Sequence, residues 1–193
     1  MNKKVEVLTE IIKARRSIFP PQYIDCEIDD RIIKDILANA NWAPNHKLTE
    51  PWRFKVLKGE AKGRLGDFMA SKYKCECTGD RFLEKKYQKL LSNPRRAAAI
   101  ILICMQRDAE ERLPEWEELA AVSMAVQNMW LTSHAHGIGA YWSSPAFIDK
   151  MDEFVDLNSG EKCLGIFYMG YYEESPAMPQ RDTIESKVEW VTE

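Results

Sequence analysis

The chain has no apolar run long enough to span a bilayer. The longest, Ala97–Met105, falls far short of the about 20 residues a membrane helix needs. Cysteine is scarce and uneven in number. The five are Cys26, Cys75, Cys77, Cys104 and Cys163, and their spacings match no disulfide framework. Cys75-Glu76-Cys77 has no second Cys/His pair nearby to complete a tetrahedral metal site, so reduced, unliganded thiols are expected. The start, Met1-Asn2-Lys3-Lys4-Val5-Glu6, lacks the apolar core of a signal peptide. Together these absences lead to the expectation of a reduced, soluble, cytoplasmic protein. A basic excess is missing too: 27 Lys and Arg stand against 30 Asp and Glu, a net charge of -3, which argues against a nucleic-acid partner. Gly-x-Ser-x-Gly, a Walker loop, His-Glu-x-x-His and Gly-x-Gly-x-x-Gly are all absent, so hydrolase and nucleoside-triphosphate chemistry have no support.

What remains is an ordinary globular composition, 45% hydrophobic and 30% charged over 193 residues, enough to bury a core. No repeat, low-complexity segment or flexible linker divides it, so one domain over 1–193 is expected. Val5, Leu8, Ile11 and Ile12 share a helical face that ends near Arg15-Arg16. Phe19-Pro20-Pro21 breaks that helix. Asp29-Asp30 starts a second, whose face is Ile32, Ile33, Ile36, Leu37 and Ala40. Trp52, Phe54 and Val56 alternate as in a strand. Residues 60 to 92 predict charged helix interrupted near Cys77-Thr78-Gly79-Asp80 and closed by Asn93-Pro94.

Ala97 to Cys104 predicts a strand buried on both faces. Pro114 and the glutamates Glu115, Glu117 and Glu118 open a long helix, stepped by Leu119, Val122, Val126, Met129 and Ser133 and stopped by Gly137. The three glutamates are expected to be a first-turn charge cluster, not a catalytic acid pair. Gly139–Trp142 and Lys162–Met169 predict two more strands, with a short helix over Ala146–Leu157 between them. The tail beyond Tyr171 has no period and an apolar end at Val188, Trp190 and Val191. It either packs on its own domain or reaches over a partner subunit. The fold class is α+β, with about four strands and five or six helices.

Three segments concentrate chemistry. Arg15-Arg16-Ser17 offers two guanidiniums and a hydroxyl, good donors for a phosphate, although basic residues also complement a helix C-terminus. Ala43-Pro44-Asn45-His46-Lys47 with Pro51-Trp52-Arg53-Phe54 places donors, positive charge and flat rings on one stiff connector, as a planar ligand with polar edges requires. The alternative is a pair of solvated loop residues. Tyr141-Trp142-Ser143-Ser144-Pro145 lies beyond a strand end, where ligands gather in open α/β layers; a tight turn with a core Trp explains it equally. His134 and His136, two apart on a helix, point to different faces and cannot easily share a metal.

Taken together, these segments resemble the FMN-dependent nitroreductase family, from Leu8 to about Trp190. The likeness rests on Arg15-Arg16-Ser17, on the Ala-Pro-x-His-Lys and Pro-Trp-Arg-Phe pieces of the loop, on the Ala-rich helix ending in Gly137-Ile138-Gly139, and on Trp142-Ser143-Ser144. The resemblance implies a mostly antiparallel sheet flanked by helices, a C-terminal tail reaching over the partner subunit, and an intertwined homodimer with FMN at its interface. It implies that Arg15, Arg16 and Ser17 bind the phosphate and ribityl end. It also implies that Trp42, His46 and Lys47 contact FMN from the loop, and that Trp142, Ser143 and Ser144 close on the flavin. Arg181 lies where relatives place a basic residue near the phosphate, and Thr132–Gly137 where some place the nicotinamide nucleotide.

The implied activity moves electrons from NADH or NADPH through FMN to a nitroaromatic, quinone or similar acceptor by a ping-pong scheme, with no protein nucleophile. No metal and no membrane is implied. Two other roles stay open: a flavin-binding protein without nicotinamide turnover, or another FMN chemistry such as dehalogenation, dehydrogenation or consumption of flavin itself. Two departures bear on redox poise: Glu50 where many members have Gln, and Trp42 where close relatives can carry a basic residue. The acceptor pocket is expected between Leu65 and Leu91.

Overall fold

In the computed structural model, which describes residues 2–145, 147–174 and 176–193, β1 (Trp52–Leu57), β2 (Ala99–Gln106), β3 (Ile138–Ser143) and β4 (Glu161–Tyr171) form one sheet. Their order is β1-β2-β4-β3, and every pairing is antiparallel. β2 and β4 are therefore central. Every residue from Ala99 to Met105 is buried, as its unbroken apolar run requires.

Side chains alternate across the sheet. On one face Ile101, Ile103, Met105, Phe167, Met169 and Ala140 pack against α2 (Asp30–Ala40) and α5 (Glu115–Ala135). On the other, Ile100, Leu102, Cys104, Ile166 and Tyr168 meet Leu65, Met69 and Tyr73 of α3 (Glu60–Glu76). Tyr87 and Leu90 of α4 (Glu84–Arg96) close that second layer.

The caps are those the sequence implies. Asp29 accepts the Arg31 amide at 2.8 Å at the start of α2. Three glutamates occupy the first turn of α5, where the helix dipole favours carboxylates. Gly137, at φ 71°, takes the left-handed conformation that stops α5. α1 (Lys3–Ala14) is capped by Asn2 and buries no residue. Val5, Val7, Leu8 and Ile12 are each about half exposed, so its apolar face has no cover within the protomer.

Two expectations, the end of α4 and the extent of the short helix after β3, need correction. α4 does not close at Asn93-Pro94 but runs to Arg96. Pro94 sits in the last turn, where it removes one backbone bond. Arg95 holds that turn, donating to the Leu91 carbonyl at 2.6 Å and to both Asp67 oxygens of α3 at 2.8 and 2.9 Å. Within the first-turn cluster Glu118 stands apart. It is buried, its carboxylate accepting from the Arg107 guanidinium and from the Asp108 amide. The short helix is a 3-10 segment over Ile148–Glu153, narrower than expected; Ala146 lies outside the described residues. The tail, finally, leaves Trp190 and Val191 exposed, so its apolar end does not pack on its own domain.

Candidate functional site

The Arg15–Arg16 segment is built by the end of α1. The Arg15 amide donates to the Ile11 carbonyl at 3.1 Å and the chain then extends. Ser17 bridges to Ala140 of β3, and the Ile18 amide donates to the Ala140 carbonyl at 3.0 Å. That approach depends on Gly139, where an added Cβ would stand 2.6 Å from the Ile18 Cβ. Arg16 donates through Nη1 to the carbonyls of Lys13 (2.6 Å) and Arg15 (2.7 Å), and its Nη2 meets the Met178 sulfur at 2.8 Å. The Arg15 guanidinium lies 4.7 Å above the Trp130 ring, a favourable cation–π distance.

One nitrogen of each guanidinium is without a partner. Arg15 Nη1 and Arg16 Nε are buried without a hydrogen-bond partner. With Lys13, Gln127, Met178 and Arg181 they line a pocket of about 580 Å³ that holds no carboxylate. Burial, followed by the charges of Arg16 and Arg181, pushes the Arg15 pKa down. His134 is pushed down as well, by burial and then by Arg15 and Arg16. Buried cations without a counter-charge are costly. Such a cluster is set up for an anion that can accept several charge-assisted bonds.

The loop before β1 forms a second place. The Trp52 indole donates to Asn41 Oδ1 at 3.0 Å, and Asn45 Oδ1 accepts the Glu50 amide at 3.1 Å. Lys47, Leu48 and Glu50 have φ of 51°, 53° and 41°, left-handed values that are uncommon outside glycine and cluster at functional sites. His46 Nδ1 stands 2.8 Å from Glu117 Oε2. Lys47 Nζ is turned away, donating to the Arg112 carbonyl at 3.3 Å. His46 faces an open hollow of about 350 Å³ with Pro44, Trp116, Ala120 and Met124. Trp42, 84% exposed, borders another hollow with Asn39, Asn128, Leu131 and Thr132.

The end of β3 forms the third. The Trp142 indole packs closely against Gly165, where a Cβ would be 1.9 Å from its nitrogen. Ser143 pairs with Ile166, and Ser144 is exposed just beyond the strand.

Arg15, Arg16 and Arg181 thus meet in one pocket, and Ser17 lies beside the strand that carries Trp142 and Ser143. His46, Lys47 and Trp42 lie elsewhere. Glu117, which holds His46, precedes the pocket residue Gln127 by about 15 Å along α5 at 1.5 Å per residue. Within one protomer the loop and the arginine pocket are separate. Sequence reading passed over Gln127, Trp130 and Met178. The signal for the first two was the stripe Gln127-Trp130-Leu131-His134, spaced i, i+3, i+4, i+7 on a face of α5 other than its buried one. Met178 had none.

A model described as the nitroreductase family matches residues 12–171. The chain belongs to the nitroreductase family. Among its relatives, the candidate NAD(P)H nitroreductase YfhC of Bacillus subtilis is 32% identical over 187 residues, 94% of this chain and 92% of YfhC. A nitroreductase-like protein of Bacillus cereus matches the fold with a TM-score of 0.78 and 27% identity, over 95% of each chain. A candidate nitroreductase of Desulfovibrio desulfuricans, solved in complex with FMN, matches with a TM-score of 0.72 and 25% identity, over 96% of this chain and 97% of that one. Among the described residues, this nitroreductase has no cluster of potential metal ligands and no helix long and apolar enough to cross a membrane.

Proposed function

We propose that this nitroreductase binds FMN and passes electrons from NADH or NADPH to a nitroaromatic, quinone or similar oxidised acceptor, in alternating half-reactions, as a homodimer with FMN at the subunit interface. The observation that carries the reading is the pair of buried, unpartnered guanidinium nitrogens on Arg15 and Arg16. The two residues line a pocket whose charged lining is wholly cationic. A phosphate monoester supplies the acceptor oxygens they lack, so the residues present fit the phosphate end of FMN. The Desulfovibrio relative's FMN complex and the NAD(P)H in the name of YfhC support the same cofactor and electron donor.

The flavin, when bound, accepts and releases the electrons; the chain's own residues do the rest. Arg15, Arg16 and Ser17 hold the phosphate and ribityl end, with Arg181 adding charge from the tail. Trp142, Ser143 and Ser144 form the edge of the site at the β3 end. Trp42 and His46 approach a flavin from the loop, while Lys47, expected to join them, is held at the Arg112 carbonyl. Because loop and arginine pocket lie apart on α5, two protomers are needed to bring both to one flavin. The uncovered face of α1 and the exposed Trp190 and Val191 are the kind of surface a partner subunit buries. The tail from residue 176 is the segment proposed to reach across.

The test is optical. The protein loaded with FMN is expected to be yellow, to bleach with NADH or NADPH, and to recover its colour when nitrobenzene is added. A protein that takes up no FMN would overturn the reading. One that stays yellow under both nicotinamides would leave only flavin binding.

A further inference from the structure

Reduction of a nitro group or quinone consumes protons as well as electrons, and the reading above names no residue that delivers one. The geometry points to a couple of His46 and Glu117: Glu117 fixes the His46 ring with its proton on Nδ1, so that Nε2 takes a proton from solvent and passes it to the acceptor in the hollow walled by Pro44, Trp116 and Met124. This deepens the flavin reductase reading and rests on it.

Several observations converge on the couple. The Nδ1–Oε2 distance of 2.8 Å lets the carboxylate, an acceptor only, keep a proton on Nδ1. Nε2 is then the nitrogen left for a ligand. The ring is carried on a loop locked by three left-handed residues and by the Asn45–Glu50 bond, so its position is set before any ligand arrives. The neighbouring cation does not compete, because Lys47 is tied to the Arg112 carbonyl. The hollow has the composition a flat aromatic acceptor needs, with a few polar groups against apolar walls. Trp116 is 67% exposed and Met124 39%, large apolar surfaces without cover in the protomer.

Nitrobenzene illustrates the step. It takes the equivalent of a hydride, two electrons and one hydrogen drawn from NAD(P)H, together with one proton, and one N–O bond breaks. Nitrosobenzene and water are the products. His46 Nε2 takes a proton from solvent while Nδ1–H stays on Glu117, gives that proton to the departing oxygen, and the ring returns to the neutral Nδ1–H form. Glu117 is a positioning residue in this scheme and touches no reacting atom.

The test joins a spectroscopic and a kinetic measurement on wild type, Glu117→Ala, Glu117→Gln and His46→Gln. Nitrogen NMR of the ring is expected to show the Nδ1–H tautomer in wild type and Glu117→Gln, and its loss in Glu117→Ala. In stopped flow, reoxidation of the NADH-reduced protein by nitrobenzene is expected to slow about 100-fold in Glu117→Ala and His46→Gln, the low end of what a general acid contributes. Glu117→Gln should stay within about threefold of wild type. An unchanged tautomer in Glu117→Ala, or wild-type reoxidation in either slowed variant, would overturn the proposal. A wild type that neither nicotinamide bleaches would instead overturn the reductase reading and the proton delivery with it, while the NMR arm still reports the couple.

Discussion

Arginines gather near both ends of α5, and the two groups are treated in opposite ways. Near its start, Arg107 pairs with the buried carboxylate of Glu118 and donates to the Leu113 carbonyl at 3.2 Å. Glu118 also accepts the Asp108 amide at 2.9 Å, and Arg112 clamps Asp108 with bonds of 2.7 and 2.9 Å. Every charge there has an opposite. Along the C-terminal half, Arg15, Arg16 and Arg181 crowd together, and no carboxylate pairs with Arg15 or Arg16 among the described residues. Residue type does not separate these clusters; the state of their donors does. A satisfied network fastens a loop to a helix, whereas a buried, unsatisfied one is an exception that calls for a ligand.

Breaking each cluster should therefore have opposite consequences. The largest effect is expected from Glu118→Ala, which leaves Arg107 buried without its carboxylate. It should cost about 3–5 kcal/mol in urea unfolding and leave FMN affinity per folded molecule unchanged. A loss under about 1 kcal/mol would remove the contrast. Arg16→Ala comes next. It should weaken FMN about 10- to 100-fold, the range of a lost charge-assisted bond, while the FMN-free protein unfolds no more readily than wild type, since an uncompensated cation has gone. Fluorescence titration and thermal melts of the same samples check both halves.

Smaller effects sharpen the same contrast. His134 should titrate below the ordinary histidine range in the FMN-free protein, because burial and the two arginines disfavour its charged form. Adding FMN should raise that value as the phosphate offsets the arginines; proton NMR against pH follows it, and no movement would count against a phosphate beside His134. The smallest effect belongs to Asp108, whose carboxyl is held down to about 2, chiefly by the Arg112 side chain, from an ordinary 3.8. A lowered carboxylate pKa stabilises the fold above the unfolded value. That contribution should be complete above about pH 4 and lost as pH falls toward 2. Asp108→Asn should remove this part of the acid dependence.

Much of the fold was legible in the sequence because local signals agreed with the global packing. The unbroken apolar run of β2, the stripe of α5 with Gly137 behind it, and the alternation of β1 each named an element within a few residues of its bounds. What was not legible depended on partners distant in sequence. Nothing near Glu118 says that Arg107 will bury it, and nothing near Pro94 says that Asp67 of α3 will hold the turn beyond it. The site divides in the same way. Arg15-Arg16-Ser17 and the His46 loop stood out by residue type. That Arg15 rests on Trp130, that His46 leans on Glu117, and that Met178 reaches Arg16 are consequences of the fold alone.

The central claim is that Arg15 and Arg16, which have no carboxylate partner among the described residues, are held for a phosphate. The most direct measurement compares the affinities of FMN and riboflavin, which differ only by that group, for wild type and for the Arg15→Ala/Arg16→Ala double variant. Wild type should prefer FMN by about 100-fold or more, as two charge-assisted contacts would give, and the double variant should bind the two alike. Equal affinities in wild type, or a preference for FMN that survives the loss of both arginines, would contradict the account.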